Sequence, residues 1–270
     1  MNPNKVLWEK GDFTQLAATM RQSGEELVNT LGITKDMLVL DLGCGDGTTA
    51  IPAARLGAQV LGVDIASNLV KAANERAVTE GLNNCVFKEG DASDLNEIAD
   101  DSFDLLVTIF GAMFASNPFD TAKEMVRVTR PGGRIVMGNW IPGDPTLVAQ
   151  ILKTSAAFTR PPPEGFISPM LWGVEANVTE RFVNAGIAPE NIRLEKATFT
   201  FNAPYSPTEF LKTFKTFYGP TLNAFEAAEK AGTVAELEAQ LEALFISQNK
   251  SDNAATTSIP ATFLKVTVKR

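Results

Sequence analysis

Apolar residues recur along the first half of the chain in two alternating rhythms. Leu16, Met20, Leu27, Val28 and Leu31 fall at helical spacing, which predicts a helix over 14–31. MLVLDLG, beginning at Met37, is a short unbroken apolar run and reads as a buried strand. TTAIPAARLG follows as a helix ended by Gly57. AQVLGVDIA predicts a second strand stopping at Asp64, and NLVKAANERAVTEG a helix capped by Ser67 or Asn68. CVFKEGDA and SFDLLVTIF supply a third and a fourth strand. PFDTAKEMVRVTR reads as a helix closed by a turn at Pro131-Gly132-Gly133, and RIVMGNW as a fifth strand. Strands and helices in strict alternation predict an α/β fold with a parallel sheet covered on both faces.

After Trp140 the rhythm changes. Residues 141–172 include the proline-rich RPPPEGFISP, show no regular period and are expected to form an irregular insertion. EANVTERFVNAG predicts a helix and NIRLEKATFTFN a strand. Residues 207–248 read as mostly helical, with Leu237, Leu241, Leu244 and Phe245 on one apolar stripe, before ATFLKVTVK returns to strand alternation. The plan is a helical lid segment over 1–34, a core over 35–206 and 249–270, and a helical cap inserted at 207–248. Strand five should end on the same edge as the first four. Residues 141–172 and 207–248 are therefore expected on the edge that carries Gly43, Asp64 and Asp91. An oligomer interface is the other use open to the 207–248 helices.

Composition narrows the function more than the fold. The 270 residues carry a net charge of −8, so a nucleic-acid backbone is not the expected partner. No apolar run approaches membrane-spanning length and MNPNKVLWEKGDF is not a signal peptide, so a cytoplasmic protein is expected. Two cysteines, Cys44 and Cys85, read as structural thiols in a reducing compartment. The chain contains no histidine. That excludes histidine triads, histidine metal sites and a histidine general base, and no metal-ligating cluster is visible.

The candidate chemistry gathers at the ends of the first strands. In DLGCGDG, Asp41 is followed by Gly43, Gly45 and Gly47, a turn that aims backbone N–H groups and a helix N-terminus at a ligand above the sheet. A dinucleotide fingerprint would need glycine at 48, where Thr48 stands. Asp64, ending the second strand, can accept hydrogen bonds from ribose hydroxyls or cap the following helix. Asp91, in Gly90-Asp91-Ala92, ends the third. Three acids at three successive strand ends mark the edge where open α/β sheets bind ligands.

DLGCGDG, GVDIA, GDASDL, FDLLVTIF and RVTRPGGRI stand in the order and spacing of the class I S-adenosylmethionine-dependent methyltransferases, which the chain resembles over residues 35–140. The likeness is greatest to the small-molecule branch that includes the quinone-biosynthesis enzymes. It implies a Rossmann-like, seven-stranded, mostly parallel sheet with helices on both faces and a helical cap, and S-adenosyl-L-methionine as cofactor. It implies that Asp41, Gly43, Gly45 and Gly47 face the methionine end, Asp64 the ribose, and Ile65, Asp91, Ala92 and Phe110 the adenine and the floor. WEKGDFTQLA resembles the segment that folds over the cofactor, with Trp8 and Phe13 as lid aromatics or as core. The acceptor pocket is expected from Met113, Phe114, Trp140, Phe166, Met170 and Trp172, with Asn139 and Asp144 to orient a small, partly apolar molecule. Asp120, Glu124, Glu164, Glu175, Tyr205 and Tyr218 are the candidate bases, and none is singled out. A nicotinamide-dependent oxidoreductase and a cofactor-binding protein without transferase activity are the two rival readings. A homodimer is possible.

Overall fold

The computed structural model describes residues 3–162 and 164–270; Met1 and Asn2 of the lid segment, and Pro163 in the proline-rich stretch, lie outside the described residues. Seven strands form one sheet: β1 (Leu38–Leu42), β2 (Gln59–Asp64), β3 (Cys85–Glu89), β4 (Phe103–Ile109), β5 (Thr129–Trp140), β6 (Ile192–Ala203) and β7 (Thr257–Lys269). Their order is β3-β2-β1-β4-β5-β7-β6. The first five are parallel, and β7 runs antiparallel to both of its neighbours. The order reverses beside β1, so the helices that follow β1 and β4 lie on opposite faces of the sheet and a crevice opens at the strand ends.

Period-two alternation sorts the strand residues between two cores. Val39, Leu105, Val107 and Val136 pack with Ala50, Ile51, Ala53 and Ala54 of α4 (Ala50–Arg55) and with Ala73 and Ala77 of α5 (Ser67–Thr79). Alanines along both helices let them lie close to the sheet. Leu40, Leu42, Leu106, Ile135 and Met137 join the larger core on the opposite face, with Ala122, Met125 and Val126 of α6 (Pro118–Val128).

The segment predicted as one helix over 14–31 is two, α2 (Phe13–Ala17) and α3 (Arg21–Asn29), preceded by α1 (Pro3–Glu9). The break falls where the Thr19 carbonyl accepts from Asn202 N at 2.9 Å on edge strand β6, so it is lost to a continuous helix. Pro131-Gly132-Gly133 does not close a helix. β5 runs through it with a register shift opposite Phe103 and Leu105, and Gly132 N donates to the Arg270 carbonyl at 2.7 Å. Residues 141–172 are not wholly irregular, because α7 (Leu147–Ala157) buries Leu147, Val148 and Ile151 on one face. Flanking prolines and glycine mask that short period in the sequence.

α8 (Glu175–Asn184) precedes β6. Residues 207–248 fold as α9 (Pro207–Phe217), α10 (Gly219–Ala231) and α11 (Val234–Gln248). α10 and α11 pack on α7, α9 packs on both of them, and the block reaches α1 through α10 and α2 through α9. Phe210, Phe214 and Phe245 form their centre, with ring centroids 5.1–5.5 Å apart in edge-to-face arrangement.

Candidate active site

A cavity opens at the ends of β1, β2, β3 and β4, with about 970 Å³ of empty space including its mouth. Gly43, Gly45, Asp64, Ile65, Asp91, Ala92 and Phe110 line it, as do Asp46, Thr48, Thr49, Leu69 and Gly111. Two predicted residues do not. Asp41 shares the face of Val39, so its carboxylate turns down toward α4, accepting from the Thr49 hydroxyl and buried to 1% exposure. Burial pushes its pKa up to about 7, against the pull of the Thr49 and Ala50 donors. Gly47 is also absent from the wall.

The three loop glycines answer to different neighbours, and all have positive φ. A Cβ on Gly43 would lie 2.6 Å from Gly111 Cα, so the loops after β1 and β4 touch backbone to backbone there. A Cβ on Gly47 would meet the Phe87 ring at 2.9 Å. A Cβ on Gly45 would meet no atom within 4 Å, so this position alone faces open space where a ligand fits.

Asp64 is 8% exposed, and among the described residues no cation pairs with it. Its Oδ2 accepts from Gly45 N at 2.8 Å and its Oδ1 from Ala66 N at 2.9 Å, leaving lone pairs on both oxygens. Burial raises its pKa, and the N–H groups of Ala66, Gly45 and Ile65 oppose the rise. Asp64 therefore braces the loop and the start of α5 while keeping capacity for hydroxyl donors. Asp46 is neutralised by Arg21 at 2.8 Å and Arg76 at 3.2 Å, a link between α3, the loop and α5 that the sequence reading missed. Asp91 Oδ1 accepts from Ser93 N at 2.9 Å. A carboxylate-rich rim with apolar Ile65, Leu69 and Ala92 between suits a ligand bearing hydroxyls, an apolar ring and positive charge, as S-adenosylmethionine does.

Phe110 holds φ +62, a left-handed backbone rare for a bulky residue. Its N–H donates to Gly138 O at 2.9 Å, and its ring stacks on Trp140 at 3.7 Å and 10°. α1 and α2 roof the cavity through Trp8 and Phe13. Glu9 Oε1 accepts from Ser67 N at 3.0 Å and Ser67 Oγ at 2.6 Å, Lys5 pairs with Glu89, and Asn4 Nδ2 donates to Phe114 O at 2.7 Å. The lid thus reaches the loops after β2, β3 and β4 together.

A second, smaller chamber, with about 340 Å³ of empty space including its open mouth, adjoins the first. Trp8, Phe13, Met20, Phe110 and Phe114 line both; Leu16, Trp140, Val148, Phe201, Phe214 and Tyr218 complete the second. Of the expected acceptor-pocket residues, Phe114 and Trp140 are present. Met113 is buried in the larger core, Phe166 is 54% exposed, and Met170 packs against the core away from the chamber. Trp172 is buried beneath Arg181, whose guanidinium carbon lies 4.4 Å from its ring centroid. Asn139 is fully buried in β5 and lines neither cavity. Asp144 accepts from Thr146 N at 2.9 Å and Thr146 Oγ1 at 2.5 Å ahead of α7, so it braces that helix start rather than orienting a ligand. In their place come Val148 from α7, Phe201 from β6, and Phe214 and Tyr218 from or beside α9. These are ordinary core types in sequence, and only the chain path brings them here.

Of the six candidate bases only Tyr218 reaches a cavity. Glu124 accepts from Leu95 N at 2.7 Å and pairs with Arg127, which lowers its pKa. Tyr205 Oη accepts from Thr213 outside both cavities, Asp120 faces Lys123, and Glu164 and Glu175 are exposed. Burial pushes Tyr218 up, so its phenol is a donor and not a base. Burial likewise raises the Cys44 and Cys85 thiols, Cys85 to about 12.

Residues 40–137 match the family described as a methyltransferase domain. An uncharacterised protein of Mycobacterium tuberculosis, Rv1403c, is 32% identical over 243 residues, covering 89% of this chain and 86% of its own length. Methyltransferase GfsG of Streptomyces halstedii is 36% identical over 126 residues, 46% of this chain and 45% of its own. Among solved structures, YcgJ of Bacillus subtilis superposes with a TM-score of 0.57 at 20% identity, covering 92% of this chain and 98% of that one. Phosphoethanolamine N-methyltransferase 2 of Haemonchus contortus, solved with S-adenosyl-L-methionine, gives 0.56 at 18% identity, covering 92% and 52%. This chain belongs to the class I methyltransferases and is an S-adenosylmethionine-dependent enzyme.

Proposed function

We propose that the larger cavity holds S-adenosylmethionine and that the enzyme methylates a small-molecule acceptor seated in the aromatic chamber. The observation that carries this reading is the shared wall of five residues, which sets the two spaces side by side. Asp64 would take the ribose hydroxyls, Ile65, Ala92 and Asp91 the adenine, Phe110 the floor, and the open side of Gly45 the approach of the ligand to the loop, with Gly43 setting that loop's path. The bound cofactor supplies an electrophilic sulfonium methyl. The chain's own part is to orient the acceptor and exclude water with the lid, and such positioning supplies on the order of 7–11 kcal/mol in favourable systems. Among the described residues no carboxylate or amine lines the chamber, which supports transfer by proximity instead of general-base catalysis.

The net charge of −8 supports a small-molecule partner over a nucleic acid. No helix of the described residues is long and apolar enough to cross a membrane, which supports action in the cytoplasm on a dissolved acceptor. A homodimer through the outer faces of α10 and α11 would leave both cavities open.

Calorimetry tests the cofactor assignment. S-adenosylhomocysteine should bind in the low micromolar range or tighter, NAD should not bind, and Asp64→Ala should weaken binding by about 1–3 kcal/mol. Unchanged affinity in that variant would remove Asp64 from the site. Formation of S-adenosylhomocysteine with a panel of acceptors separates a transferase from a protein that only binds the cofactor.

A further inference from the structure

Taking the aromatic chamber as the acceptor site, we propose that the acceptor is an uncharged, flat-ringed apolar molecule carrying one hydroxyl or carbonyl oxygen, and that the Tyr218 hydroxyl selects it. The proposal starts from what the chamber lacks. None of its described lining residues is Asp, Glu, Lys or Arg, whereas Asp46, Asp64 and Asp91 line only the neighbouring cavity. A carboxylate entering the chamber would shed its water and meet no counter-charge. An ammonium would meet aromatic faces, so it is the rival that a test must include.

Tyr218 is 4% exposed, lines the chamber and makes no side-chain hydrogen bond among the described residues. The hydroxyl is not sealed from solvent but opens on the chamber, so a ligand that displaces water from it must offer an acceptor in return. Its ring is held by Phe214 at 5.3 Å, Trp8 at 6.1 Å and Phe13 at 6.4 Å, so the hydroxyl has a fixed place. Burial keeps its proton on, which leaves it able to donate throughout the neutral range. Eight of the eleven described lining residues are aromatic, a wall that suits a planar ring through face and edge contacts. The side-chain N–H and O–H groups of the described lining, the Tyr218 hydroxyl and the indole N–H groups of Trp8 and Trp140, are all donors, so an analogue without an acceptor oxygen leaves them unpaired.

Calorimetry on the enzyme saturated with S-adenosylhomocysteine would compare 2-naphthol, 2-methylnaphthalene, 2-naphthoate and 2-naphthylmethylamine. The naphthol should bind tightest. The methyl compound, the carboxylate and the ammonium should each bind about tenfold more weakly or worse. Tyr218→Phe should cost the naphthol about tenfold and leave 2-methylnaphthalene unchanged, so the ratio between them collapses; general loosening of the chamber would weaken both alike. Charged probes that match the naphthol, a ratio unmoved by Tyr218→Phe, or no ring compound binding while S-adenosylhomocysteine does, would each overturn the proposal. If the variant fails to fold, the wild-type series still decides. Failure of S-adenosylhomocysteine itself to bind would bring down the cofactor assignment, and this proposal with it.

Discussion

Gly43, Gly45 and Gly47 look equivalent in the sequence, yet a methyl group on each would meet a different neighbour. Gly47→Ala should be clearly destabilising, because the left-handed backbone costs about 1–2 kcal/mol and the added Cβ presses on Phe87 and Ile51. Gly45→Ala should show only the backbone cost in denaturant unfolding, yet weaken S-adenosylhomocysteine binding because its methyl enters the cavity. Normal binding by Gly45→Ala would mean that no ligand approaches there. Asp41 gives a pH signature. Its folded pKa of about 7 lies above the ordinary 3.8, so between these values the native state holds a proton that the unfolded state has lost. That contribution to stability is full below about pH 4 and falls away as pH rises to about 7. Asp41→Asn cannot titrate. The variant should therefore gain on the wild type between about pH 4 and about pH 7 in guanidinium titrations, and a constant difference across that range would contradict the raised pKa.

At the scale of elements, the first lid helix, α1, has seven residues and could not persist alone in water. Its polar ties are partly exposed, so water and salt screen them. Trp8 is the stronger hold, packed edge-on against Phe114 at 4.9 Å and Phe13 at 5.6 Å. Trp8→Ala should weaken S-adenosylhomocysteine binding about tenfold or more, and Glu9→Gln less than about threefold. Calorimetry showing the reverse order would place the closure in the ion pairs. The other face of the lid rests on the helical block. Lys10 Nζ lies 2.8 Å from Glu226, and a Cβ on Gly219 would lie 2.7 Å from the Leu7 carbonyl oxygen.

In the whole molecule, α9, α10 and α11 support the chamber and the lid at once. Phe245 is fully buried among Phe210 and Phe214, so Phe245→Ala should cost about 3–5 kcal/mol in guanidinium unfolding. A loss below about 1 kcal/mol would show that the block can collapse around the gap.

The strand–helix rhythm up to Trp140, the glycine loop and the acids Asp64 and Asp91 were legible in the sequence, because each depends on short-range pattern: period two, period 3.6, and turn chemistry at strand ends. The family followed from the same motifs. The chamber proposed for the acceptor was not legible. Phe166, Met170 and Trp172 carry the apolar and aromatic character expected of a pocket, but one faces solvent and the others pack away from the chamber. Val148, Phe201, Phe214 and Tyr218 form its wall although nothing in their local sequence separates them from core. Asp41 belongs to the motif but points to α4, since strand alternation turns it from the cavity. Which apolar side chains bound a cavity and which fill the core depends on how distant elements pack, and hydrophobicity along the chain is the same for both.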